Sequence, residues 1–409
     1  YNSPAHGTWN IVHMGMLLPG SHQIYVCGAN CNRGVILTAA EMNAGDRFSF
    51  VEIKEEDLFN GQMEDLVIEG VSDILHKLPK KPSVVLLFTV CVHHFMGCDL
   101  AYIYDTLRSR FPEQCFVDCY MDPIMQKEGL TPDQKLRNAL YKPLPMREKN
   151  LKQINIIGND FPTREETELK TIAKAAGYTV KDITECEGYE EYLSMSESFL
   201  NIACYPKYGA EQLSKRLGMK FLYLPFSFHY DEINAQLKSL VKEMPGAVMP
   251  DTSLLRKRCE RILQETKELV GDTKITIDAT VVPRLLGLTR LLISHGFSVE
   301  RIFTDAFSAE EKEDYLWLKE NAPNLKVCAT IHPNMRVYPR NPQEKILAIG
   351  QKAAYFSGTE HFVNMVEGGG LHGYDGICEL CQKIQQAYQT KKDTKDLVVR
   401  KGLGCESCI

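Results

Sequence analysis

Long hydrophobic runs are missing from this chain of 409 residues. None approaches the roughly 20 apolar residues that a bilayer-crossing helix needs, so no segment reads as a membrane span. Excess positive charge is missing too. The formal net charge is −6, whereas a phosphate-binding surface needs the opposite sign. No RRM, KH or zinc-finger pattern is present, and nucleic acid is not an expected partner. The chain has no GxxxxGKS/T loop, which argues against nucleotide hydrolysis by the chain itself. It has no GxSxG elbow and no specific kinase or metalloprotease pattern. Low-complexity tracts and short-period repeats are absent. Nothing at the amino terminus reads as a signal peptide, although Tyr1 in place of Met suggests trimming. A cytoplasmic location is expected.

What is present is the material of a large core. Hydrophobic residues make up 44% and charged residues 24% of the chain, the balance of a globular protein, and the length suits two or three domains. Short β-rich runs alternate with amphipathic stretches. Strands are expected over 84–90, 153–158, 199–203, 221–224, 275–279, 299–304, 325–331 and 345–349. Helices are expected over 64–77, 164–176, 210–217, 231–243, 255–270, 282–295 and 309–321. Alternation at this spacing predicts an α/β fold of doubly wound parallel sheets. A polar, proline-containing linker over 142–150 and a long charged helix before Lys274 set boundaries near 150 and 270. The expected domains are 1–150, 151–270 and 271–409. A glycine-rich turn at 367–371 precedes a final helix, and a Lys-rich tail over 390–401 leads to the last residues.

Cysteine is plentiful, at 14 residues. A chain this long without an export signal is not expected to carry a disulfide framework. Cys115, Cys119, Cys186, Cys259 and Cys328 read as buried apolar thiols. Others carry more meaning. The run 84–90 ends on Cys91, which puts a thiol at the carboxyl end of a buried strand, where α/β sheets place their chemistry. Upstream, Cys27-Gly-Ala-Asn-Cys31 follows the extended run 23–26, with Gly28 free to make a tight turn. Three thiolates from separate segments suit an iron–sulfur cluster, its fourth ligand supplied by Cys98 or by a partner subunit. His93 and His94 follow Cys91 directly and are candidates to line the site or donate protons. A second constellation pairs Cys378-Glu-Leu-Cys381 with Cys405-Glu-Ser-Cys408. That spacing suits zinc, a cluster or a redox dithiol equally.

These segments together resemble the component 1 proteins of nitrogenase and nitrogenase-like reductases. Phe59-Asn-Gly61, a helix, then Val85-Leu-Leu-Phe-Thr-Val-Cys91 and Gly97-Cys98-Asp99 resemble the family's FGG–helix–strand–Cys–GDD block. By this resemblance Cys91 and Cys31 match cluster-ligating cysteines. The family's first cluster cysteine falls near Ala5, so Cys27 is the expected substitute. Asn201-Ile-Ala-Cys204-Tyr205, with the downstream block 218–225, is similar to the strand-end cysteine that binds the active-site metal cofactor in catalytic α subunits. Leu371-His372-Gly-Tyr-Asp-Gly376 is close to the HGYDG stretch after the α subunit's histidine ligand. That ligand's own position is Val363, with His361 two residues away, and Cys98 replaces an acidic residue of the GDD motif.

The resemblance implies three Rossmann-like domains around a central cavity. It also implies an iron–sulfur cluster of the 4Fe–4S kind, held by Cys27, Cys31 and Cys91 and shared with a homologous sister subunit or second copy of the chain. A second metal cofactor or an organic substrate is implied at Cys204, with His361 or His372 orienting a ligand or relaying protons. Electrons would come from a separate ATP-dependent iron–sulfur reductase. The expected role is a redox subunit of a nitrogenase-like complex. The alternative is a non-catalytic scaffold on which a metal cofactor is assembled. The departures at Val363 and Cys98 argue against dinitrogen reduction on a molybdenum cofactor. A third reading is a plain α/β binding protein with structural zinc at the two CxxC pairs.

Overall fold

The computed structural model describes residues 11–41, 43–121, 130–204, 210–339 and 344–393. Its strands fall into three sheets in which every neighbouring pair is parallel. The first contains β1 (Ser21–Cys27), β2 (Phe48–Glu52), β3 (Val84–Val90) and β4 (Cys115–Met121), in the order β2-β1-β3-β4. The second contains β5 (Asn150–Ile157), β6 (Thr179–Asp182), β7 (Ser198–Ala203) and β8 (Lys220–Tyr223), in the order β6-β5-β7-β8. The third contains β9 (Lys274–Asp278), β10 (Val299–Phe303), β11 (Lys326–Cys328), β12 (Ile346–Ile349) and β13 (Phe362–Val363), in the order β11-β10-β9-β12-β13. The doubly wound α/β architecture expected from strand–helix alternation is the one observed.

Every sheet starts in its middle and winds outward in two directions. Each therefore has one switch point, where the chain leaves adjacent strands toward opposite sides and opens a crevice at their carboxyl ends. The crevices lie between β1 and β3, β5 and β7, and β9 and β12. The strands beside them are buried on both faces, as β1, β3 and β7 are over their whole lengths, and β3 accordingly reads as a nearly unbroken apolar run.

Strands β2, β4, β6 and β13 were not expected, and all four are sheet edges. An edge strand packs fewer neighbours and tolerates polar residues, as in Phe-Ser-Phe-Val-Glu of β2, so its sequence carries less signal. The helices Ala29–Glu41, Pro132–Ala139 and Gln351–Ser357 were also missed. The strand expected over 325–331 contracts to Lys326–Cys328, and the helix expected over 164–176 begins only at Glu168. The segment 142–150 is no loose tether. Arg216 donates to the carbonyls of Tyr141 and Leu144, Leu144 is buried, and Arg147 pairs with Glu197.

Packing is continuous between sheets. One apolar core joins the first sheet to Ile157 and Ala203 of the second and to Leu217 in the helix before β8. Another joins Ile156 and Ile202 to Ile277 and Tyr374. Among the described residues no helix is long and apolar enough to cross a membrane.

Candidate functional site

The first switch point brings two predicted thiols together. After β1 the chain turns at Gly28, whose carbonyl accepts the N–H groups of Cys31 and Asn32 as the helix Ala29–Glu41 begins. Cys31 thus sits in the first turn of that helix, exposed. After β3, Cys91 opens the short helix Cys91–Phe95 and is half-buried, its Sγ 4.0 Å from the Met121 carbonyl. Cys31 and Cys91 line one cavity of about 560 Å³ whose apolar walls include Ile53, Leu58, Val90 and Met121. Lys54 and Glu55 complete its rim. Two soft ligands at an apolar crevice can hold a thiophilic metal group. Among the described residues no group of three or more His, Cys, Asp or Glu is placed to hold a metal ion, so a site here would have to be completed by donors from outside them.

Cys27 does not line that cavity. It is fully buried, its thiol donates to Asn32 Oδ1 at 2.6 Å, and burial pushes its pKa up to about 12. Cys98 does not line it either; its N–H bonds the His93 carbonyl in the turn after the short helix. His93 is completely buried, and its Nδ1 accepts the Val90 N–H at 3.1 Å. Burial holds its pKa at about 4, so near neutral pH this ring is uncharged and caps the strand end.

The second switch point holds Cys204. Its N–H donates to the Ile157 carbonyl at 3.2 Å, which fixes it at the carboxyl ends of β5 and β7. The thiol is buried among apolar residues, and burial pushes its pKa well above the ordinary value. His372 lies close by: its Nε2 is 3.0 Å from the Leu224 carbonyl, and Leu224 in turn donates its N–H to the carbonyl of Ala203. A carbonyl only accepts, so Nε2 carries the proton and Nδ1 the lone pair. Burial lowers the basicity of this ring and keeps it neutral.

His361 does not join them. Its Nδ1 bonds the Ala387 carbonyl at 3.0 Å, near the last turn of the helix Gly373–Gln389 that His372 precedes. About 22 Å of helix, at 1.5 Å per residue, separates those two anchor points. Val363 ends β13 with its side chain in the core.

The third switch point is plugged from within. The Asp278 carboxylate, completely buried, accepts the N–H groups of Thr280 at 2.8 Å and Ala353 at 2.7 Å, and also the Thr280 hydroxyl. A Cβ on Gly350 would fall 2.3 Å from Asp278 Oδ2, so no space is left there.

Cys378 and Cys381 lie buried in the middle of the helix Gly373–Gln389 and face the helix Thr252–Val270. Cys405 and Cys408 lie outside the described residues. A more polar cavity of about 460 Å³ borders β4, but its charges already have partners: Asp118 holds Lys142, and Arg216 holds two carbonyls.

The walls of the thiol-lined cavity escaped sequence reasoning because Ile53 follows β2 and Met121 ends β4, both unexpected edge strands. Asn32, which sequesters Cys27, carried no signal except its position one residue after Cys31.

Comparison with known proteins agrees with this fold. Residues 21–389 match the family described as nitrogenase component 1 type oxidoreductase. The fold is similar to a solved structure of nitrogenase Cp1 at pH 6.5, with a TM-score of 0.67 and 15% identity over 95% of this chain and 93% of that one. A structure of nitrogenase Cp1 at pH 5 is similar with a TM-score of 0.59 and 12% identity, covering 92% of this chain and 87% of that one. No curated protein sequence matches the chain.

Proposed function

The chain belongs to the nitrogenase component 1 type oxidoreductases, and from that premise we propose that it is an iron–sulfur redox subunit of a nitrogenase-like complex. The observation that carries this reading is the cavity at the first switch point, with Cys31 and Cys91 on its wall. The donor set fits an iron–sulfur group: two thiols, an apolar wall and an open mouth. Cys31 and Cys91 are the proposed ligands from this chain, and a homologous sister subunit or a second copy supplies the others. A cluster held there provides one-electron transfer at a site shielded from water. Ile53, Leu58, Val90 and Met121 exclude solvent, and Lys54 places a positive charge near the thiolates.

The rim supports a covering partner. Phe59 is 88% exposed and Phe95 63% exposed, beside the cavity residues Leu58 and Val92. Exposed aromatics around a crevice mark a surface that another chain buries. Electrons are supplied by a separate ATP-dependent reductase, in keeping with a chain that has no phosphate-binding loop of its own.

The second crevice is the proposed cavity for a metal cofactor or an organic substrate, with Cys204 as ligand. His372, neutral and held by Leu224, orients that ligand or accepts a proton at Nδ1. A scaffold reading draws on two observations: His361 is tied to Ala387, and apolar Val363 sits where the resemblance expects a histidine. A single-thiol anchor releases its cargo more readily than a paired one.

The test is anaerobic purification with iron and sulfide quantitation and electron paramagnetic resonance after chemical reduction. Iron and acid-labile sulfide in the native protein, lost in Cys91→Ala, are the expected result. Protein made anaerobically that holds no iron, and is unchanged by Cys91→Ala, would overturn the cluster. Turnover of a candidate substrate with the reductase and ATP separates the enzyme from the scaffold.

A further inference from the structure

Cys259 reads in sequence as one more buried thiol, and Cys378 as half of a CxxC motif. The fold gives each a different partner. The helices Thr252–Val270 and Gly373–Gln389 pack along a seam in which Cys259 meets Tyr374 and Cys378, and Thr266 meets Gln385. The two helices run in the same direction, since seven residues along one correspond to seven along the other. On this seam Cys259 Sγ lies 3.5 Å from Cys378 Sγ, across 119 residues of chain. Cys381, three residues from Cys378, is turned instead toward Thr266.

We propose that Cys259 and Cys378 form a thiol pair that closes to a disulfide on exchange with a small organic disulfide, clamping the helix Thr252–Val270 onto the helix Gly373–Gln389. Contact between two thiols with nothing between them is the juxtaposition such exchange requires. Contact with Cys259 holds the Cys378 thiol below its ordinary pKa and pushes Cys259 well above, while Cys259 turns its one S–H toward the Tyr374 carbonyl. In the proposed order Cys378 attacks first and Cys259 resolves.

Access comes through the outer helix. Of its nineteen residues only Cys259, Leu263, Thr266 and Val270 are buried, a single stripe with charged residues over much of the remainder. An outer helix with so few buried positions opens at lower free energy than the sheets behind it. In the open state the Cys378 thiolate attacks one sulfur of the small disulfide and releases one equivalent of its thiol. Cys259 then loses its proton and attacks Cys378 Sγ, which releases the second equivalent. Two protein thiols are oxidised, one small disulfide is reduced to two thiols, and the two protons leave with them.

The experiment uses the full chain, incubated with reduced or with oxidised glutathione, acid-quenched, alkylated in denaturant without reductant and mapped by mass spectrometry. The expected result is a Cys259–Cys378 linked peptide after oxidised glutathione only, retained in Cys381→Ser. In Cys259→Ser the link is lost and Cys378 accumulates as its glutathione mixed disulfide. Full alkylation of Cys259 and Cys378 after oxidation, or a Cys378–Cys381 link in the unaltered chain, would overturn the proposal. The peptide map of the unaltered chain decides the matter even if a variant does not fold.

Discussion

Glu168 Oε2 accepts the backbone N–H of Tyr374 at 3.1 Å, across 206 residues of chain. Its other oxygen takes the N–H of Asp375 at 3.2 Å, so one buried carboxylate from the second sheet's first helix caps the last helix of the third. An anion suits a helix N-terminus, yet burial prevails and raises the Glu168 pKa to about 7.

That balance gives a pH dependence of known sign. The folded chain binds this proton more tightly than the unfolded chain, so the stability linked to Glu168 falls as pH rises from about 4.5 toward 7. The full swing is about 3 kcal/mol. Glu168→Gln should remove this component, and the difference in melting temperature between the two proteins, followed from pH 4.5 to 7.5, reads it directly. Identical pH profiles would contradict the assignment.

Cys27 and Cys31 should separate by function. Cys27 is sequestered by Asn32, so Cys27→Ala should keep iron after anaerobic isolation and lose about 1–2 kcal/mol of stability from the buried contact. Cys31→Ala removes a cavity ligand and should lose the iron with little change in melting temperature. Iron and sulfide content beside thermal denaturation measures both. The reverse pattern would move the ligand role to Cys27.

A buried ion pair joins the helix Pro132–Ala139 to the end of β5. Arg137 Nη2 lies 2.7 Å from Asp160 Oδ1, with only 6% and 4% of the side chains exposed, and Arg137 also donates to the Gly158 carbonyl. Arg137→Leu leaves a carboxylate stranded in the interior and should cost about 3–5 kcal/mol. The double variant Arg137→Leu with Asp160→Leu should cost less, because the Asp160 charge leaves with its partner and only Asp133, 3.9 Å from Arg137, loses one. Denaturant unfolding of the single and double variants tests this.

Gly350 has φ +106° and leaves room for the Asp278 carboxylate beside it. Gly350→Ala combines an unfavourable backbone conformation with a collision at 2.3 Å, and should destabilise the chain by about 2 kcal/mol or more. Soluble yield and melting temperature report the loss. A neutral effect would mean that the third crevice is looser than its hydrogen bonds indicate.

Much of the fold was legible in advance. Val84–Val90 is legible residue for residue, and β5, β7, β9, β10 and β12 within a few positions, because each central strand carries a buried apolar segment between turn residues. The missed strands β2, β4, β6 and β13 are edges, where one neighbour is absent and polar residues are tolerated. The helix Ala29–Glu41 was missed because its sequence, Ala-Asn-Cys-Asn-Arg-Gly and onward, carries only a weak apolar stripe. Of the candidate residues, Cys91 and Cys31 were found through strand-end position and resemblance. Asn32, Ile53 and Met121 had no local mark, because their role depends on which strands become neighbours.

By itself the sequence determined the α/β class, the family and the strand-end placement of Cys91 and Cys204, since alternating apolar runs and turn residues are local properties of the chain. The tertiary structure decided which thiols meet. Cys31 and Cys91 share a cavity only because β1 and β3 pair at a switch point. Cys27 is withdrawn because a strand alternates its side chains between two faces. Cys259 meets Cys378 because two helices pack in one register. Contacts between residues tens of positions apart depend on strand order and helix docking, which the whole core sets and no short segment encodes.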